Sequence, residues 1–122
     1  PKAGSYAGLK HILQKIAATG MGSFLAVIKL FGKENRNYLS FPLEGYTVAL
    51  DFKIQPKLFP LLDELDLIVV DHGGRLYLAK DVRMRQEIFR QSYPGWEKFV
   101  SLRQKHNLKA KFNSFQSRRL GL

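Results

Sequence analysis

Tyr6, Leu9, Ile12, Leu13 and Ile16 recur at three- and four-residue spacing behind Ser5 and ahead of Gly20 and Gly22. That period predicts an amphipathic helix over residues 5–19, with the glycines ending it. The run Phe24-Leu-Ala-Val-Ile-Lys-Leu-Phe31 is short, apolar and rich in residues that suit a pleated surface, and Gly32 with the polar stretch 33–37 stops it. It predicts a strand. After Pro42 and Gly45, the residues Tyr46, Val48, Leu50, Phe52 and Ile54 alternate with Thr47, Ala49, Asp51 and Lys53. Strict alternation predicts a second strand with one apolar and one mixed face. From Pro56 a helix is expected, with Leu58, Leu61, Leu62, Leu65, Ile68 and Val69 opposed to Asp63, Glu64 and Asp66 and ended by Gly73-Gly74. Arg75 to Ala79 reads as a third strand, and Asp81 as the N-cap of a helix carrying Met84, Ile88 and Phe89. Tyr93-Pro94-Gly95 breaks the chain before a further helix around Trp96, Phe99, Val100 and Arg103, followed by an irregular basic tail.

The order α-β-β-α-β-α-α predicts an α+β fold: an antiparallel sheet with helices packed on one face, half of a larger sandwich. No repeat or linker divides the chain, so residues 1–122 are expected to form a single domain. Alternation also sorts the strand residues: Lys29 with Phe31, Thr47 with Ala49 and Asp51, Arg75 with Tyr77 and Ala79. If those sides coincide, the uncovered face carries a lysine and two aromatic rings, too polar for core and too apolar for plain solvent contact.

Composition narrows the chemistry. The absence of cysteine excludes disulfide scaffolds, cysteine-based zinc sites, iron–sulfur clusters and thiol nucleophiles. The longest uncharged apolar run, residues 21–28, is far short of the roughly 20 residues that span a bilayer. The net charge of +10 is concentrated at one end, because residues 83–122 hold ten basic and two acidic groups. Such a block attracts nucleic acid, anionic lipid or a phosphorylated ligand, or forms an ordinary solvated helix face. There is no dinucleotide or phosphate-binding glycine loop, and His11, His72 and His106 lack ligand spacing, so no metal site is expected. Tyr77 and Lys80 flank a strand end, where a desolvated lysine suits proton transfer and an exposed one would simply pair with Asp81.

Several segments carry a family resemblance: residues 23–32 (SFLAVIKLFG), Leu39-Ser40-Phe41-Pro42, Asp51-Phe52, Gly73-Gly74-Arg75-Leu76-Tyr77-Leu78-Ala79-Lys80-Asp81, Tyr93-Pro94, and Ser117-Arg118-Arg119-Leu120. Together they resemble the C-terminal part of FAD-linked oxidoreductases of the vanillyl-alcohol oxidase superfamily, in particular the decaprenylphosphoryl-ribose oxidase and aldonolactone oxidase group. The resemblance implies a C-terminal cap (substrate) domain that closes over a flavin held mainly by an FAD-binding domain of the same parent chain. It further implies that Lys29, Phe31, Thr47 and Ala49 line the substrate pocket. Tyr77 and Lys80 would be catalytic and would also contact the cofactor. Some members of the group carry asparagine and cysteine where this chain has Thr47 and Ala49.

The implied reaction is oxidation of a sugar or polyol-type alcohol, lipid-phosphate linked in some members, by hydride transfer to FAD. Because the chain begins Pro1-Lys2-Ala3 and lacks an FAD-binding region, it is expected to be a fragment, inactive alone. With no export signal it is assigned to the cytoplasm, with peripheral contact at the inner membrane through its basic C-terminal region. The competing expectation is a small basic nucleic-acid-binding αβ domain. The aromatic residues are not gathered on a basic sheet face, however, so no nucleic-acid partner is expected.

Overall fold

The computed structural model describes residues 1–122. Helix α1 (Ser5–Thr19) is followed by strands β1 (Leu25–Phe31) and β2 (Gly45–Asp51) and helix α2 (Leu58–Asp71). A 3-10 turn at Leu78–Lys80 leads to helices α3 (Gln86–Ser92), α4 (Trp96–Lys105), α5 (Leu108–Lys111) and α6 (Phe115–Leu120). The fold is α+β, as the sequence pattern predicts. No helix is long and apolar enough to cross a membrane.

The two strands pair antiparallel, with Lys29 opposite Thr47 and Val27 opposite Ala49. Leu50 and Phe52 pack against a cluster formed by Ile12 and Ile16 of α1 with Leu61, Leu65 and Ile68 of α2. The helices therefore cover β2 and leave β1 overhanging: Leu25, Ile28 and Leu30 are each more than half exposed, and the outer edge of β1 pairs with nothing. Gly8 lets α1 approach α2 closely, since a Cβ there would stand 3.1 Å from the His72 ring. Helix α2 tolerates Pro60 because its amide lies in the first turn, where no intrahelical acceptor exists. It closes in a Schellman motif, with Gly74 N–H on the Val69 carbonyl, Gly73 N–H on that of Val70, and Gly73 at φ 68°.

A second cluster contains Met84, Ile88, Phe89, Tyr93 and Leu120, joined by Leu76, Leu78, Val70 and Trp96. Met84, Phe89, Tyr93 and Leu120 are the most deeply buried large side chains in the chain. The two clusters are tied across α2 by Arg83, which donates to both carboxylate oxygens of Asp66 (2.7 and 3.0 Å), to Asp63 (2.7 Å) and to the Leu62 carbonyl (3.0 Å). Burial pushes the Asp66 carboxyl above its ordinary range, and Arg83 opposes that shift.

Three expectations are corrected. Arg75–Ala79 is not a third strand, because its carbonyls are taken by side chains and not by a neighbouring strand. Tyr93 Oη donates to Leu76 O at 2.5 Å and Gln116 Nε2 to Leu78 O at 2.7 Å, leaving an extended segment that turns at Leu78–Lys80. Asp81 does not cap α3, which begins at Gln86; its carboxylate instead accepts from the Arg83 and Met84 amides and caps the turn before the helix. The basic tail is not irregular: Ser114 and Ser117 form a reciprocal capping box that starts α6, and Leu120 anchors that helix in the second cluster.

Asp66→Ala would take from Arg83 its buried partner and leave it only the half-exposed Asp63 and the Leu62 carbonyl. It should destabilise the protein by about 3 kcal/mol in urea unfolding, while Asp66→Leu combined with Arg83→Met should recover most of that loss.

Candidate functional site

The face-sorting inferred from alternation is realised on the two-stranded ribbon. Cross-strand partners share a face, so Lys29, Thr47, Phe31, Ala49 and Asp51 lie on one side. Tyr77 reaches this side through a ring that the sequence reading assigned no role. Phe41 stands edge-on to Phe31, at 5.9 Å between centroids and 88°, and tilts against Tyr77 at 4.8 Å and 44°. The three rings form a continuous wall. Phe41 is placed by the loop between the strands, which is pinned where the Tyr38 backbone lies against Gly95. A Cβ on Gly95 would stand 2.5 Å from the Tyr38 carbonyl, so only glycine admits this approach.

A cavity of about 260 Å³ opens beside the wall, lined by Phe31, Phe41, Thr47, His72, Arg75 and Tyr77 among others. A wider, open groove is lined by Tyr77 from its other side together with residues 35–42, Phe99 and Leu102. The structure thus gathers Phe31, Thr47 and Tyr77 around one cavity. Lys29 sits at the neighbouring rim as the cross-strand partner of Thr47, and Ala49 lies one pair further along, opposite Val27. Lys80 lies at the end of the 3-10 turn, exposed, and does not line this cavity.

Arg75 is the second residue that pattern reasoning passed over as chemistry. It donates to the Ser40 carbonyl at 2.6 Å, approaches Glu34 at 3.7 Å and lies 5.3 Å from the centroid of the Tyr93 ring. It thereby fixes the inter-strand loop to the Tyr77 segment. Ser40 Oγ and Arg75 Nε are buried beside the wall and bond to no protein group, so polar capacity remains at this place. Of the histidines, His72 donates Nδ1–H to the Ile68 carbonyl at 2.9 Å and meets His11 edge-on, which is a packing role at the end of α2.

Lys80 does not pair with Asp81, because the Asp81 carboxylate is already committed. One oxygen accepts from Met84 N–H (2.7 Å) and Arg83 N–H (2.9 Å), and the other from Arg119 (2.8 Å), with Gln116 nearby at 3.4 Å. Burial pushes this carboxyl up, but the hydrogen bonds from Met84, Arg119, Arg83 and Gln116 together outweigh it and hold it below the usual carboxylate range. Burial also pushes the Tyr93 hydroxyl up to about 12, so it stays a donor to Leu76 O at all ordinary pH.

Comparison with known proteins bears out the resemblance. The chain is 42% identical over 113 residues, 93% of its length, to the decaprenylphosphoryl-beta-D-ribose oxidase of Mycolicibacterium smegmatis, of which the match covers 25%. It is 36% identical over 115 residues to an uncharacterized protein in the mprA 5' region of Streptomyces coelicolor, covering 31% of that protein. The chain therefore spans about a quarter to a third of the length of these relatives. No family model matches it.

The lowered carboxyl of Asp81 sets a pH dependence of stability. Its contribution is complete above the ordinary value of 3.8 and is lost as pH falls through the lower folded value. Asp81→Asn should flatten the fall of the urea midpoint below about pH 4; a wild-type acid slope in the variant would refute the assignment.

Proposed function

We propose, from the likeness to an oxidase over nearly the whole chain, that this is the C-terminal substrate-side part of an FAD-linked oxidoreductase acting on a sugar or polyol-type alcohol. The observation that carries the reading is the wall of Phe31, Phe41 and Tyr77 with Thr47 and Lys29 at its edge. It combines an apolar surface for a flat or cyclic partner with donors for hydroxyl or phosphate oxygens. A phosphate-linked sugar, the chemistry named in the Mycolicibacterium relative, is the substrate class this mixture suits.

The residues fit the substrate side of a flavin and not its nucleotide half. Aromatic rings and spare polar atoms at Ser40 and Arg75 gather near Tyr77, while no glycine-rich loop is present to cradle a pyrophosphate. Tyr77 and Lys80 are the side chains assigned to face the ring, with the rest of the cofactor held by an FAD-binding domain of the parent chain. Bound FAD supplies the hydride acceptor for the carbinol carbon. This chain's own residues supply orientation and proton handling. Lys29 and Thr47 hold the substrate's polar groups, Phe31 and Phe41 exclude water from its apolar edge, and Ala49 leaves room at the far pair. Lys80 Nζ donates to the reacting hydroxyl and positions it, and the hydroxyl proton leaves to solvent as the carbonyl forms.

Alone, the 122 residues are proposed to be inactive, for want of the flavin-holding part. We place the parent in the cytoplasm with peripheral contact at the inner membrane. Support comes from residues 98–119, which carry seven basic and no acidic side chains and expose Phe112 and Phe115.

The test is the visible spectrum and turnover of the protein expressed from the parent's complete reading frame. Bound flavin is expected in the long form, and Lys80→Ala should slow flavin reduction by an alcohol about a hundredfold or more. A long form free of flavin, or wild-type reduction by the variant, would overturn the assignment. Phe41→Ala should raise KM for the same alcohol by about tenfold through loss of the wall, with an unchanged KM as the refuting result.

A further inference from the structure

The Leu76–Asp81 segment, which carries Tyr77 and Lys80, has no strand beside it and one internal 3-10 turn, formed by Lys80 N–H on the Tyr77 carbonyl (3.1 Å) and Asp81 N–H on that of Leu78 (3.3 Å). A segment outside any ladder keeps a single conformation only if other groups satisfy its carbonyls. One such group comes from α6, 38 positions away, where Gln116 Nε2 donates to Leu78 O at 2.7 Å; from the same helix Arg119 Nη2 holds the side chain that ends the segment, donating to Asp81 Oδ2 at 2.8 Å. Arg119 Nη1 also holds the Met84 carbonyl. Lys80 thus lies between two anchor points supplied by one short helix, itself fixed by the Ser114–Ser117 capping box and by Leu120 in the second core.

We infer that Gln116 and Arg119 are positioning residues for Lys80: they fix the turn that presents it and occupy the carboxylate that would otherwise capture it. The second part follows from sequence adjacency. Asp81 is the next residue, and its Oδ1 is engaged by the Arg83 and Met84 amides, so Oδ2 is the oxygen open to a cation. Arg119 fills it, which leaves the Lys80 ammonium without an ion-pair partner and exposed to solvent. Removing Arg119 opens Oδ2 to Lys80. The ion pair would turn the side chain away from the substrate. Gln116 contributes neutral hydrogen bonds, so its loss loosens the turn without supplying a competing charge.

This inference rests on the proposed role of Lys80, and the experiment separates the two. In the flavin-loaded protein from the complete reading frame, Arg119→Leu should lower kcat by about tenfold to a hundredfold, with KM changed far less. Arg119→Lys should restore most of the rate, since it keeps a cation on Oδ2. Asp81→Asn placed on Arg119→Leu should also restore it, because asparagine keeps the oxygen that accepts the two amides while removing the competing charge. Loss of a merely structural contact would not be repaired by that second change.

Gln116→Leu, with normal flavin loading, should lower kcat severalfold. It decides the matter if Arg119→Leu fails to load flavin. Lys80→Met is measured alongside. Wild-type turnover by Lys80→Met overturns the role of the lysine and this inference with it. An inactive Lys80→Met beside flavin-loaded Arg119 and Gln116 variants of wild-type kcat overturns the positioning role alone.

Discussion

A carboxylate buried to 5% exposure must have both oxygens answered, and the way Asp81 meets that demand organises the second half of the molecule. Two backbone amides from the turn ahead of α3 take one oxygen, and a guanidinium and an amide from α6 take or approach the other. The last helix, the start of α3 and the turn after Tyr77 are thereby fixed relative to one another by a single side chain. Helix α6 has six residues, too short to be stable on its own, and it persists because its cap and Leu120 are both engaged. The second core could not hold Leu120 in place if the polar half of the same helix were unsatisfied.

The first core depends on a different device. It is built from α1, α2 and the inner residues of β2, and its connection to the second core passes through Arg83, gripping Asp63, Asp66 and the Leu62 carbonyl from the turn that Asp81 caps. Consecutive stretches of one loop thus carry opposite charges to opposite cores. The cavity lies where the two halves meet the inter-strand loop, and Phe41 and Arg75 close the junction from the loop side and the chain side respectively. A binding surface at such a seam inherits its geometry from both cores.

Much of this was legible in the sequence. Helices α1 and α2 and strand β2 follow from apolar spacing, because in each the burial of one face decides the conformation, whereas β1 follows from its run of strand-favouring residues although it buries neither face. Period two sorts Lys29 with Phe31 and Thr47 with Ala49, and the register of the strand pair puts both on one face. The segment Arg75–Ala79 shows where pattern reasoning stops: its alternation is that of a strand, yet a strand needs a partner, and which groups satisfy its carbonyls is settled by Tyr93 and Gln116, remote in sequence. Helices α5 and α6 escaped notice because their composition is basic and their apolar anchors are single residues. A capping signal at Ser114 could have located α6. Phe41 sat within a segment that carried the family resemblance, but its part in the wall became visible only when the loop was folded against Gly95.

The overhanging strand has a consequence for handling the molecule. Alternate residues of 25–31 offer unpaired amides and carbonyls along the free edge of an apolar ribbon with Lys29 as its sole charge. Neither a proline nor a bulge interrupts it, and these are the devices by which natural sheets discourage edge-to-edge joining. An edge of this kind is open to pairing with a further strand, and Lys29 is the one feature along it that opposes such joining.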